Sequence, residues 1–345
     1  MRPPPVSVVL PTYNRATLLP GAVCSIQSQS LADWELIVVD DGSTDNTNDV
    51  LRSIAAADRR VRIISNPGPS GPGGARNAGF RVANAPAVAF LDSDDRWRPT
   101  KLAKFVAELN SDQDIVLVGS DYLMVDRAVA QTTSMKSFLF DTMIAWWENY
   151  PLAAAVIPCA FLREDVHAIA AQDHVLSMTI AGFLWIQTSS VIVRRDAAIL
   201  AGMFDARLQR TEDIDLWLKL SRLGRFAYID EVLATYDITG RDGALGDRYE
   251  RHSALRRHTG YTEALHHLRL LRRIKRTYQL SAEQRELLRE RLTEHHRRCA
   301  KGAWRERRVR GLLHLVPTLA SDLEKHGRKL NRQFRDNLQR SDSQR

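Results

Sequence analysis

Ala87-Val88-Ala89-Phe90-Leu91-Asp92-Ser93-Asp94-Asp95 is the stretch that decides how this chain is read. Five apolar residues stop abruptly in three carboxylates. A buried strand fixes its own end rigidly, so acids placed there hold a defined geometry. Carboxylates so close repel one another unless a cation lies between them, and hard cations such as Mg²⁺ or Mn²⁺ prefer oxygen ligands. One or two protein carboxylates completed by substrate phosphates is the usual way to hold such a metal. The plainer reading is an acidic loop that leads into the next helix, since Pro99 suits a helix first turn.

Outward from this stretch, short β-rich runs alternate with helical patterns. Strands are expected over 6–10, 35–39, 61–65, 87–91 and 115–119. Helices are expected over 16–29, from Asp45 as cap to about residue 57, over 75–83 and over 100–110. Such alternation implies βαβ units and a mostly parallel sheet with helices on both faces. Ligands of these sheets bind beyond the carboxyl ends of the strands. Beyond residue 120 the pattern is irregular until a strand over 189–193 and a helix over 213–223, with Leu216, Leu220 and Leu223 as its buried face. From about residue 249 it is helical, with Leu265, Leu268, Leu271, Leu287, Leu288 and Leu292 at helical spacing. A boundary is expected near residue 246, after the Gly-rich stretch 240–246, giving domains 1–245 and 246–345.

The strand ends carry the candidate chemistry. Thr12-Tyr13-Asn14 places an aromatic ring and two hydrogen-bonding side chains after the first strand; Asn14 as a helix cap is the simpler alternative. Asp40-Asp41-Gly42 puts two acids at the end of the second, where an acid can accept from a ribose or a base N–H. Gly68-Pro-Ser-Gly-Pro-Gly-Gly-Ala-Arg76 is Gly-rich but fits neither G-x-G-x-x-G nor G-x-x-x-x-G-K-[ST], which argues against a dinucleotide site or a Walker ATPase. Arg76 can pair with a ligand phosphate or with an acid of the rim. Glu212-Asp213-Ile214-Asp215 opens a helix, where acids suit the dipole; one of them near a substrate hydroxyl is a candidate general base. Trp146, Trp147 and Trp185 can stack on sugar rings or fill a core.

The 345 residues include 44% hydrophobic and 26% charged side chains, as in a globular protein. The net charge of +8 hides an asymmetry. Residues 1–247 carry 23 Lys+Arg against 30 Asp+Glu, net −7; residues 248–345 carry 26 against 11, net +15. Cys24, Cys159 and Cys299 form no C-x-x-C pair, so neither zinc nor a disulfide framework is expected and a reducing cytosol is the simplest home. No secretory signal is expected from the start of this sequence, and no stretch in it approaches the ~20 apolar residues of a membrane span.

Taken together, "VSVVLPTYNR", "WELIVVDDGSTDNT", "GGARNAGF", "VAFLDSDDRWRPTKL", "TSSVIVRRD" and "TEDIDLWLKL" resemble the family 2 glycosyltransferases of GT-A fold, in order over roughly 5–237. The resemblance implies an inverting transferase with a nucleotide-diphosphate sugar donor, expected to be a UDP-sugar, and a divalent metal, Mn²⁺ or Mg²⁺. By similarity, Thr12, Tyr13 and Asn14 line the nucleotide pocket, Asp41 contacts the base, and Arg76 supports it. Asp92-Ser93-Asp94 matches the D-x-D motif, with Asp94 as the direct metal ligand and Asp92 near the ribose and metal. Asp213 matches the catalytic base.

Where many relatives have Tyr-Arg and a nearby His after the last strand, this chain reads Ala234-Thr235-Tyr236-Asp237-Ile238-Thr239. It also has no Q-x-x-R-W string, so a non-processive enzyme is expected. The acceptor is a glycan, a lipid-linked sugar or a protein, in polysaccharide, glycolipid or glycoprotein synthesis. The basic tail is expected to be either a solvated helical bundle or a peripheral contact with anionic membrane on the cytoplasmic face. Nucleic acid ranks lower, since the tail shows no nucleic-acid module. A sugar nucleotidyltransferase and a non-catalytic scaffold are the competing readings.

Overall fold

The computed structural model describes residues 2–126, 131–134, 172–181, 186–208, 210–237 and 259–305. Trp146, Trp147, Trp185 and Cys159 lie outside them. The chain divides into two compact units, Met1–Leu245 and Gly246–Arg345.

The first unit is built on a nine-stranded mixed sheet in the order β3-β2-β1-β4-β8-β6-β9-β5, with β7 beside β6. In chain order the strands are β1 Val6–Thr12, β2 Glu35–Asp40, β3 Val61–Ser65, β4 Ala87–Phe90, β5 Arg96–Trp97, β6 Ile115–Asp126, β7 Gln131–Ser134, β8 Val191–Arg194 and β9 Arg225–Asp237. β1, β2, β3 and β4 pair in parallel. β8 runs against both β4 and β6, and β6 and β9 are parallel, so most of the strands point one way. β1, β2 and β4 are Val-, Ile- and Ala-rich and almost wholly buried, as expected of strands covered on both faces.

Seven α-helices of this unit are described: α1 Leu19–Gln27, α2 Thr47–Ala57, α3 Pro72–Val82, α4 Lys101–Ser111, α5 Gln172–Ala181, α6 Arg195–Leu200 and α7 Glu212–Leu220. α1 buries Leu19, Ala22, Val23 and Ile26, one stripe at helical spacing. α3 lies so close to the sheet that a Cβ on Gly79 would sit 2.5 Å from Val9 Cγ1 and 3.0 Å from Val39 Cγ2.

Register sets the functional rim. Thr12 pairs with Asp40, and Asp40 with Ser65. The ladder runs one step further, with Asp41 N–H donating to Thr12 O at 2.9 Å and Asn66 N–H to Asp40 O at 2.8 Å. The carboxyl ends of the parallel strands therefore finish level, and the residues after them share one edge.

Several elements differ from the sequence expectation. α3 begins at Pro72 rather than 75, because Gly71 takes φ +112° and Pro72 supplies the fixed φ of a first helical position. α7 ends at Leu220, so Leu223 falls past the helix and is 40% exposed instead of completing the buried face. β5 and β9 were outside the periodicity reading. β5 has two residues, and the β6–β9 pairing contains register shifts that break simple alternation.

The second unit contains α8 Thr259–Thr277 and α9 Ala282–Arg305. Ala264, Leu268 and Cys299 form their buried seam. Ser281 and Gln284 close a reciprocal cap at the start of α9: Ser281 N–H donates to Gln284 Oε1 at 3.0 Å and Gln284 N–H to Ser281 Oγ at 3.1 Å. Among the described residues, no helix is long and apolar enough to cross a membrane.

Candidate active site

The rim after β1 and β2 forms one wall. Asn14 has φ +51°, a left-handed conformation that Asn tolerates better than most residues. Its Oδ1 accepts from Thr44 N–H at 2.8 Å and Asp45 N–H at 3.3 Å, and its own N–H donates to Ser43 Oγ at 2.9 Å. Asn14 thus ties two rim loops together and does not cap α1. Asp45 accepts from Thr47 N–H at 3.0 Å at the start of α2. Tyr13 is 38% exposed, its ring available on this wall, and Thr12 Oγ1 is buried without a hydrogen-bond partner.

Asp41 holds the Gly-rich loop in place. Its Oδ1 accepts from Asn66 Nδ2 at 2.6 Å and its Oδ2 from Gly71 N–H at 2.7 Å. An acceptor, Asp41, and an amide, Asn66, therefore stand side by side at the strand ends. Asp40 instead turns to its own loop, accepting from Ser43 N–H at 3.2 Å.

Next to them lies the turn that follows β4, the parallel neighbour of β1. Arg76, buried on α3, bridges two acids: Nη2 reaches Asp92 Oδ1 at 2.7 Å and Nη1 reaches Glu212 Oε1 at 2.9 Å. Of the two possibilities open in the sequence, Arg76 takes the pairing with rim acids. Through it the end of β4 and the N-terminus of α7 become neighbours, although 120 positions separate their acids. A row of aromatic side chains supports this from behind. Phe90 meets Phe204 edge-on at 5.2 Å, Phe204 meets Trp217 at 6.2 Å, and the Arg76 guanidinium lies 5.6 Å from the Phe204 ring. Asn77 closes the Phe204 segment with two hydrogen bonds, to its carbonyl at 2.8 Å and from its N–H at 3.0 Å.

Asp213 sits beside Glu212 in the first turn of α7. Its Oδ1 accepts from Ile214 N–H at 2.7 Å and its Oδ2 from Thr188 Oγ1 at 3.3 Å. The electrostatics of the pair are unusual. Burial, then the charge of Asp213, pushes Glu212 up to about 7, against the pull of Arg76. Burial also raises Asp213, while Arg76 and its two hydrogen bonds oppose the shift. Burial works against the Arg76 charge, but Asp92 and Glu212 outweigh it and keep the guanidinium ionised. Glu212 Oε2 is buried with no hydrogen-bond partner, so this acid is tied by one oxygen only.

The donor set of the β4 turn suits a hard cation. Asp92 and Asp94 offer carboxylate oxygens from one turn, and Arg76 engages only Oδ1 of Asp92. Among the described residues, no group of three or more His, Cys, Asp and Glu side chains converges as a complete metal cage. One or two carboxylates fit a cation whose other ligands are phosphate and water oxygens.

Thr12, Tyr13, Asn14, Asp41, Asp92 and Asp94 lie at or just after the ends of β1, β2 and β4, Arg76 on α3 and Asp213 in the first turn of α7; Trp146, Trp147 and Trp185 lie outside the described residues. The structure adds Asn66, Thr188 and Ser189, and it pairs Glu212, one of the acids read at the start of α7, with Arg76. Thr188 and Ser189 lay within the matching string "TSSVIVRRD", but nothing in one dimension showed which acids they meet. Asn66 follows β3 and was readable only as a rim residue.

The mixed, mostly parallel sheet with flanking helices is the GT-A glycosyltransferase fold. A mannosyltransferase from Pyrobaculum calidifontis, solved with GDP-Man and Mn²⁺, superposes with a TM-score of 0.56 at 17% identity, covering 95% of this chain and 81% of the other. TarS of S. aureus with UDP-GlcNAc gives 0.57 at 15% identity over 87% and 74%. Residues 7–168 match the model of glycosyl transferase family 2. Among curated relatives, a putative teichuronic acid biosynthesis glycosyltransferase of Bacillus subtilis is 43% identical over 101 residues, 29% of this chain and 40% of that protein. The UDP-Glc:alpha-D-GlcNAc-diphosphoundecaprenol beta-1,3-glucosyltransferase of Escherichia coli is 38% identical over 97 residues, 28% of this chain and 38% of that protein. The matches span less than half the length of these relatives.

Proposed function

We propose that the protein is a metal-dependent, inverting, non-processive glycosyltransferase that moves a sugar from a UDP-sugar to an acceptor hydroxyl. Residues 1–245 are the catalytic domain in this reading. The observation that carries it is the bridge Asp92–Arg76–Glu212, which brings the acidic turn after β4 to the acid-bearing start of α7. On one side, Thr12, Tyr13, Asn14 and Asp41 bind the nucleotide. Uracil presents an N–H donor, which the Asp41 carboxylate can accept. Asp92 and Asp94 would hold the cation, which neutralises charge on the diphosphate leaving group. On the other side, Asp213 takes the proton of the acceptor hydroxyl. Its raised proton affinity suits a base working near neutral pH. Attack on the face opposite the leaving group inverts the anomeric centre.

The acceptor in this reading is lipid-linked. Support comes from the relatives of Escherichia coli and Campylobacter jejuni, whose names specify diphosphoundecaprenol and PP-undecaprenol acceptors. The basic residues 246–345 would then contact anionic lipid at the cytoplasmic face of the membrane. A panel of nucleotide sugars assayed with Mn²⁺ and with EDTA tests the activity. Metal-dependent release of UDP from one donor is expected, and Asp94→Ala should lose Mn²⁺-dependent UDP binding in calorimetry while keeping its fold. No donor turned over under either condition would favour the scaffold reading.

A further inference from the structure

The two halves of the site are held by one short segment. Thr188–Ser190 is a single 3-10 turn, and all three residues are buried. Thr188 Oγ1 donates to Asp213 Oδ2 at 3.3 Å. The next residue serves the other side: Ser189 Oγ accepts from Asp92 N–H at 3.0 Å and donates to Asp95 Oδ2 at 2.6 Å.

The turn is itself anchored at both ends. Ser189 O accepts from Trp97 Nε1 at 2.7 Å, and Ile186 O accepts from Trp217 Nε1 at 3.3 Å. Ser190 N–H and Ser190 Oγ both donate to Gln187 O at 2.8 Å. The indoles of β5 and α7 therefore clamp the segment whose hydroxyls reach the β4 turn and Asp213. In a buried site, hydroxyls bonded to carboxylates face little competition from water.

We propose that Thr188 and Ser189 are positioning residues for the transfer reaction, Ser189 fixing the turn that presents Asp92 and Asp94 to the donor and Thr188 orienting the Asp213 carboxylate towards the acceptor. The inference rests on the transferase reading above. Its physical basis is the steep dependence of rate on alignment. Reacting atoms must approach to about 3–3.5 Å, and a misplacement of about 1 Å costs on the order of 10²-fold. Ile214 N–H and Thr188 Oγ1 each take one Asp213 oxygen, so the carboxylate cannot rotate without losing both bonds. The Ser189–Asp95 bond is short and charge-assisted, the stronger of the two side-chain ties.

Thr188→Val, Thr188→Ser and Ser189→Ala separate these roles. With a turned-over donor, Thr188→Val is expected to lower kcat about tenfold with donor KM and UDP affinity unchanged, a fraction of the full misalignment penalty because the bond is long. Thr188→Ser keeps the hydroxyl and should restore most of kcat. Ser189→Ala is expected to weaken Mn²⁺-dependent UDP binding in calorimetry about tenfold, the effect of losing one hydrogen bond to a charged group, and to change kcat at saturating donor far less. Thermal melting confirms that each variant is folded. The proposal is overturned if Thr188→Val has wild-type kcat, if Thr188→Ser is as impaired as Thr188→Val, or if both sites change kcat and KM in the same proportion. Where Ser189→Ala does not fold, the Thr188 pair decides alone. A wild-type protein that binds UDP with Mn²⁺ yet turns over no nucleotide sugar fails the transferase reading; the Ser189→Ala titration then still tests the donor-side tie.

Discussion

Arg76 shows what a single side chain does here. It neutralises Asp92 and Glu212 together from a buried position. Arg76→Met leaves both acids without their cation, and breaking one partner of a buried pair costs about 3–5 kcal/mol. Urea denaturation should show a loss in that range. Beside it, Glu212 and Asp213 carry adjacent negative charges, and each favours its protonated form more than a free carboxyl does. Activity that needs ionised Asp213 should therefore fall away on the acid side at a higher pH than an ordinary Asp would give. Glu212 keeps its proton up to about 7, because Asp213 beside it ionises first, so Glu212→Gln should leave the acid limb of the kcat profile in place. A limb that moves to lower pH would mean that Glu212 is already charged there. The same group affects stability. Its folded value, about 7, lies above its unfolded value, so its favourable contribution is full below about 4.5 and lost as pH rises through about 7. Relative to Glu212→Gln, the wild type should lose stability across that window. In the proposed reading Asp213 is the base, and Asp213→Asn should lower kcat by about 10²–10⁴ with little change in donor affinity.

At the scale of elements, α3 and α7 position these side chains, and each has an identifiable weak point. Gly79 allows α3 to lie on β1 and β2, where an added Cβ meets Val9 and Val39. Gly79→Val overpacks that contact and should destabilise the fold by about 1–3 kcal/mol, read from the shift in denaturation midpoint. α7 hangs on Trp217, which is wholly buried and packs on Phe204. Trp217→Ala should cost about 3–5 kcal/mol through the cavity it leaves. Because the same helix carries Asp213, the surviving folded fraction should also show reduced kcat, which separates this effect from the purely structural Gly79 change. In the second unit, a Cβ on Gly302 would lie 2.8 Å from Tyr261 N, so the close approach of α8 and α9 depends on that glycine.

For the whole molecule, the charge division matters most. The exposed side chains described on α8 include Arg269, Arg272, Lys275 and Arg276, with no acid among those described as exposed. If this region contacts anionic lipid, each basic residue near the surface contributes about 1 kcal/mol. Full-length protein should then sediment with anionic vesicles at low salt and be released at high salt. The triple change Arg269→Glu, Lys275→Glu and Arg276→Glu should weaken sedimentation by at least about 100-fold, three such contributions. Protein that stays in the supernatant at low salt would assign these helices a structural role and point to an acceptor in solution.

The parallel half of the sheet was legible because its strands are continuous apolar runs and its helices repeat at 3.6 residues. Both patterns follow from burial, which acts on every residue of an element. The rim was legible for the same reason: where apolar runs stop, acids and small polar residues begin. β9 and β5 were not, because an edge pairing of two residues and a bulged strand carry no clean period. Leu223 was misplaced because a spacing does not show where a helix ends. Within the site, the sequence by itself determined the residue types after each strand, from Thr12 to Asp94, and the acids at the start of α7. Only the tertiary structure decided that Arg76 joins Asp92 to Glu212, and that Thr188 and Ser189 reach Asp213 and the β4 turn. Those contacts link residues 16 to 136 positions apart. Local propensity is blind at such range, and the packing of helices on a twisted sheet sets which side chains meet.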